Sequence, residues 1–137
     1  YEGIYKWKDF INTYAIGTFM KPDCEDILHD SKGDIISHPI DSHRDDYPRV
    51  FYGKIASANI LLKNFERRQR LKEQFDVMAV EMEASGVADA TWESGIGYLV
   101  IRGICDYCDD YKNNSWQEYA AMVAACYTRD LIENLPF

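Results

Sequence analysis

Two apolar runs in this chain each lead into carboxylates. Val77-Met78-Ala79-Val80 runs into Glu81-Met82-Glu83-Ala84, and Tyr98-Leu99-Val100-Ile101 runs through Arg102-Gly103-Ile104-Cys105 to Asp106. Apolar stretches without alternation suit parallel strands covered on both faces by helices. Glu81 and Glu83 are two residues apart, so an uninterrupted strand would project both to one side, with Met82 opposite. Asp106 falls just beyond the second run. Ligands of open α/β sheets bind in the crevice outside the carboxyl ends of the strands. The three acids are therefore expected to gather where a small molecule would sit.

Acids so placed suit cleavage of an N-glycosidic bond. The sugar becomes cationic as the bond breaks, and carboxylates that hold its hydroxyls close to that charge favour the transition state. The departing base takes a proton on a ring nitrogen, which asks for an acid whose pKa is raised towards neutrality. Glu83, with Glu81, fits the first role and Asp106 the second. The same placement also fits carboxylates that cap helices or lie solvated in loops.

The elements that would position these acids follow from periodicity and punctuation. Strands are expected near 51–56, 76–80 and 97–103 in one sheet, with helices near 66–74, 83–94 and 115–133. Ala84, Ser85, Gly86, Ala88 and Ala90 are small enough to let their helix lie close to the sheet, and Gly95 is placed to end it. Ser115 and Glu118 read as a capping box before the last helix. Trp116, Tyr119, Ala120, Val123, Ala124, Tyr127 and Leu131 form its apolar stripe, and Asn134 and Pro136 its stop. Leu71 and Phe75 are expected to turn the 66–74 helix towards the core. Ahead of this layer structure, Ile4, Trp7, Phe10, Ile11, Tyr14 and Ala15 share helical spacing. A helical turn is expected over 22–28. Residues 29–49 read as a polar surface excursion with a brief strand over 34–37. The chain thus divides into a lead-in over 1–49 and an α/β part over 50–137.

Totals narrow the function classes. With 137 residues, 47% hydrophobic content and a formal charge of −8, the chain is a globular acidic domain or a piece of one. That charge excludes a nucleic-acid polymer or anionic membrane as the natural partner. No stretch reads as a signal peptide or approaches the roughly 20 apolar residues of a membrane span. Four cysteines at irregular spacing argue for a reducing, cytoplasmic setting over a secreted disulfide framework. Cys105-x-x-Cys108 lacks a second pair, and His29, His38 and His43 lie in the excursion, so no metal or cofactor is expected. Glu66-Arg67-Arg68-Gln69-Arg70 reads as a solvated helix face, and Asp109 and Asp110 as loop residues.

Glu81-Met82-Glu83-Ala84 and Arg102-Gly103-Ile104-Cys105-Asp106-Tyr107 together resemble the purine nucleoside phosphorylase / methylthioadenosine nucleosidase superfamily. Gly53-Lys54-Ile55-Ala56-Ser57-Ala58-Asn59 is similar to the family's segment that ends a strand beside the purine. The continuation through Lys112-Asn113 and Trp116 to Ala121 resembles a branch fused to signalling or repeat domains, often in immune-type receptors. The resemblance implies a three-layer α/β nucleoside phosphorylase/hydrolase-like fold, of which this chain carries only the C-terminal half. It implies that Asp106 protonates or hydrogen-bonds the purine at N7. Glu83 would hold the ribose hydroxyls, Met82 would pack on the sugar, and Glu81 would be a supporting acid. Leu61 and Leu62 would line the base, with Ser57 at its edge and Arg102 on the ribose or water side. Asn59 replaces an acid common among the nucleosidases, and Cys105 stands where many have serine.

The family's phosphate-binding or water-activating residues lie in an N-terminal half that no stretch here resembles. Phosphate as a co-substrate and water as the nucleophile are therefore both open. The expected substrate is a purine nucleoside or nucleotide, and the expected assembly a homo-oligomer or a larger multidomain chain. A second reading is a catalytically silent nucleoside-sensing or interaction module of a larger, immune-type receptor.

Overall fold

A computed structural model describes residues 6–40 and 47–136. Ile4 and the part of the excursion over 41–46 lie outside the described residues. Helix α1 (Trp7–Tyr14) keeps the expected spacing and buries Trp7 and Ile11. They pack against Met122 and Cys126 of the last helix, α4 (Gln117–Glu133), with Phe10, Ala15, Tyr119, Val123 and Tyr127 around them. The Trp7 ring meets Tyr127 edge-on at 5.9 Å. At the start of α1 the free N–H of Trp7 is taken by the buried Asp130 carboxylate at 3.3 Å. The lead-in is thereby fastened to the far end of the chain.

On α4 the row that faces α1 is Met122–Cys126–Asp130, four residues apart, so the buried face is rotated from the expected stripe. The proposed capping box is not made either. Trp116, with helical dihedrals, stands at the N-cap position, and no side-chain hydrogen bond caps the helix there. Asn134 does end the helix, with its side-chain amide on the Asp130 carbonyl at 2.7 Å.

After a 3-10 turn at Gly17–Phe19, strands β1 (Leu28–His29) and β2 (Ile35–Ile36) form a small antiparallel hairpin. The helical turn expected over 22–28 is absent, and the brief strand over 34–37 is the second arm of this hairpin. Asp30 organises its turn by accepting the N–H groups of Lys32 and Asp34.

Strand β3 (Lys54–Ser57) pairs in parallel with β4 (Val77–Glu81), and α2 (Phe65–Phe75) connects them. Asn64 caps α2 by accepting the Arg67 N–H at 2.8 Å. Asp76 ends it in the left-handed region with φ +56°, and β4 begins at the next residue. Phe75 is exposed, not turned to the core, because that junction swings it outward. Between Lys54 and Ile55 the pairing partner jumps from Val77 to Ala79, a bulge that leaves Met78 without a counterpart.

The third strand is not formed. Residues 97–103 make no ladder among the described residues, and Leu99 and Tyr98 are exposed. Here the backbone of Gly103 lies directly on α4, where a Cβ would strike the Ala120 carbonyl. An apolar run supplies strand propensity but no partner edge, and in this case packing on a helix takes precedence. Helix α3 (Ala84–Trp92) follows β4 as expected, and Gly95 closes it at φ +63° with its N–H on Trp92. None of the nine residues of α3 is buried, and the helix meets the sheet at its start, where the Ser85 N–H reaches the Ser57 hydroxyl.

Candidate functional site

Glu81 ends β4, directly opposite Ser57 at the end of β3. The chain then turns into α3, so the strand alternation stops before Glu83 and the two acids part company. Glu81 is buried and Glu83 is exposed. The Glu81 carboxylate accepts the N–H of Glu83 at 2.9 Å and that of Ala84 at 2.9 and 3.0 Å. The Ser57 hydroxyl accepts the N–H of Ser85 at 2.8 Å and lies against the same carboxylate. Burial alone would raise the Glu81 carboxyl. Ser57, the two backbone amides and the Arg102 guanidinium outweigh it and hold Glu81 below the usual carboxylate range. Glu81 is thus the cap of α3, fully engaged with the backbone.

Glu83 has a different partner. Its carboxylate accepts a hydrogen bond from the Arg102 guanidinium at 2.8 Å, with Glu83 largely in solvent and Arg102 less so. Met82 and Leu61 are exposed beside this end of the sheet, whereas Leu62 is buried.

Asp106 occupies a loop held from three sides. Asn64 donates its N–H to the Cys108 carbonyl at 3.0 Å, and Arg68 of α2 donates to the Tyr107 carbonyl. The Tyr107 hydroxyl reaches Asp26 at 2.8 Å, and His29 of the hairpin stacks on Tyr111 at 3.8 Å. The supposed surface excursion therefore covers the acid-bearing loop. Within it, the Asp106 carboxylate receives the Lys112 ammonium at 2.8 Å, the Cys108 N–H at 2.9 Å and the Cys105 thiol at 3.5 Å. Burial would raise Asp106, but Lys112 and the Cys108 N–H overcome it and hold the acid low. This is opposite in direction to the raised pKa expected of a general acid, because Lys112 sets a cation beside the carboxylate. Burial and the Asp106 charge push the Cys105 thiol up and Cys108 to about 11, so both are thiols at neutral pH.

Ser57, Glu81, Glu83 and Arg102 thus form one cluster, and Asp106, Lys112, Cys105 and Cys108 another. Arg102 stands electrostatically between them, since its charge acts on both Glu81 and Cys105. Lys112 is the functional candidate that sequence reasoning missed. Its cue was a cation six residues after the acid, within a loop whose return no periodicity predicts.

The family model of the phosphorylase superfamily matches residues 20–131. This chain belongs to the phosphorylase superfamily. The match takes in the hairpin, both clusters and most of α4. A nucleotide-binding leucine-rich repeat (NLR)-like protein of Hyaloscypha variabilis is 46% identical over 85 residues, which cover 62% of this chain and 8% of that protein. An ATP nucleosidase of Escherichia coli is 35% identical over 81 residues, 58% of this chain and 16% of the relative. A 5'-methylthioadenosine/S-adenosylhomocysteine nucleosidase of Mycobacterium tuberculosis is 34% identical over 89 residues, 65% of this chain and 35% of the relative. The matched stretch thus spans between a twelfth and about a third of these relatives' lengths. No solved structure matches the chain. As a phosphorylase-superfamily chain it is α/β, with β3 and β4 paired in parallel, and no helix among the described residues is long and apolar enough to cross a membrane.

Proposed function

We propose that the protein carrying this chain cleaves the N-glycosidic bond of purine nucleosides or nucleotides, and that this chain supplies the base and ribose side of the pocket. The observation that carries the reading is the pair of acids Glu83 and Asp106, the first held by Arg102 and the second by Lys112, within a family that includes nucleosidases. In this reading Glu83 exchanges Arg102 for the ribose hydroxyls. Arg102 remains beside the reaction centre to orient the ribose or the attacking water. Met82 and Leu61, already exposed, pack on the sugar and base, with Leu62 behind them and Ser57 at the edge. Glu81 acts at one remove, fixing the α3 start that presents Glu83. Asp106 meets the purine at N7.

The nucleophile is water or phosphate, bound by residues other than those of the two clusters, and no cofactor is required. We place the activity in a reducing, cytoplasmic setting, within a three-layer domain of which residues 50–137 form the C-terminal part and 1–49 the lead-in. The assembly is a homo-oligomer or a multidomain chain. The direct test is release of free purine base from adenosine and from ATP by the full-length protein, with and without phosphate. Absence of base release from both substrates would sink the reading.

The NLR-like relative supports a second reading, in which the same pocket senses a nucleoside without cleaving it. Saturable adenosine or ATP binding without base release would favour it.

A further inference from the structure

The Asp106 loop contains a proton donor as well as an acid. Lys112 reaches Asp106 Oδ2 at 2.8 Å from within the same loop, and its own N–H is held by the Asp109 carbonyl at 3.3 Å. Both side chains are mostly shielded, with about a tenth of Asp106 and a quarter of Lys112 exposed. The other charged or titratable groups bearing on this pair are Cys105 and Cys108 in the loop, Arg102 beside Cys105 and Arg68 of α2 beside Cys108. The Cys105 thiol also reaches Asp106, at 3.5 Å against the 2.8 Å of the Lys112 ammonium.

An ionised Asp106 has no proton to give. Yet when the C1′–N bond breaks, its electron pair passes to the base, which becomes a strong nitrogen base and must be neutralised. We infer that Lys112 is a positioning residue that acts through Asp106, passing an ammonium proton to the carboxylate as the carboxylate passes one to the purine. The inference rests on the reading above. In the balanced step the glycosidic electrons go to the base and the nucleophile bonds to C1′; an attacking water then gives up one proton to solvent, whereas phosphate need not. One proton moves from Lys112 Nζ to Asp106 and one from Asp106 to the base. The neutral Lys112 amine then regains its proton from water. Solvent access to Lys112 permits that last transfer. Asp106 begins and ends each turnover as a carboxylate, in agreement with its low resting pKa.

The experiment uses the full-length protein and compares Lys112→Gln, Lys112→Arg and Asp106→Asn, with adenosine and a 7-methylpurine nucleoside as substrates. The 7-methyl compound leaves without needing a proton. With Lys112→Gln, kcat on adenosine should fall about 10²- to 10³-fold at pH 7.5 and recover to within about tenfold near pH 5, because an unpaired, half-buried Asp106 then carries its own proton. Its rate on the 7-methyl compound should fall less than about threefold. Lys112→Arg keeps the charge but does not release a proton at these pH values, so it should remain slow on adenosine. A loss that is equal on both substrates, insensitive to pH, or rescued fully by arginine would overturn the inference in favour of a structural or purely electrostatic role. Asp106→Asn separates the two levels. An unchanged rate in that variant removes the parent reading, whereas slow Asp106→Asn with normal Lys112→Gln removes only the relay.

Discussion

Glu81 and Asp106 both follow apolar runs and both are held below the ordinary carboxylate range, but they are held by different things. Glu81 is bound by the backbone amides of Glu83 and Ala84 and by Ser57, all fixed by the meeting of β3, β4 and α3. Asp106 is bound chiefly by one lysine side chain, in a loop that α2 and the hairpin clamp from outside. Removing Glu81's partners means undoing the fold. Removing Asp106's main partner needs only a rotation of Lys112. A low pKa therefore reports a structural cap in one case and a chemically available carboxylate in the other, and only the identity of the partner tells them apart.

The largest expected effect tests the available acid. Asp106→Asn keeps size and much of the hydrogen bonding, and kcat for purine nucleosides should fall roughly 10²- to 10⁴-fold with KM changed far less. Steady-state kinetics of base release reads this directly, and equal loss on a 7-methylpurine nucleoside would move Asp106 into the structural class with Glu81. Next comes the cap. Glu81→Gln leaves one side of the carboxylate cluster unable to accept the α3 amides and should cost about 1–3 kcal/mol of stability, seen as a lower midpoint in denaturant unfolding. A stable Glu81→Gln protein with lost activity would reverse the comparison.

Ser57→Ala removes an acceptor from the Ser85 N–H and should cost about 1 kcal/mol by the same assay. Smaller still is Glu83→Gln, whose exposed pair with Arg102 contributes no more than about 1 kcal/mol to folding. Its expected signature is a raised KM for the nucleoside at nearly unchanged stability.

The pair Asp106–Lys112 also sets a pH window. A carboxylate held low contributes stability above its unfolded value, near 3.8, and loses it as pH falls through the folded value. A lysine held high contributes below its unfolded value, near 10.5, and loses it as pH rises through the folded value. Denaturation midpoints of wild type and Lys112→Gln should therefore differ most between these limits and converge outside them. A constant offset at every pH would mean that Lys112 stabilises by packing alone.

Much of this was legible in the sequence. Helical spacing gave α2 to within one residue at each end and placed α1 inside its 4–15 pattern, and the apolar run at 77–80 gave β4. The alternative that strand-end acids cap helices matches the backbone contacts of Glu81. What sequence could not supply was pairing. Residues 97–103 are as apolar as a strand, but local propensity contains no term for Gly103 lying on Ala120. The buried row of α4 was misread for a related reason. Two interleaved sets of apolar residues fit the helix, and only the position of Trp7 and Ile11 decides that Met122 and Cys126 face inward. Lys112 escaped because a loop has no period.

The bulge at Met78 has an arithmetical consequence. Counted without interruption from Lys54 opposite Val77, Ser57 would stand across from Val80, and Glu81 would have no neighbour on β3. The one uncounted residue advances the tally so that hydroxyl and carboxylate arrive together at the end of the ladder. Deleting Met78 would leave Val77, Ala79, Val80 and Glu81 opposite Lys54, Ile55, Ala56 and Ser57 in unbroken register, so hydroxyl and carboxylate would still meet. Since successive side chains point to opposite faces, one residue added after Met78 would instead set Val80 opposite Ser57 and leave α3 to begin without an anion at its head.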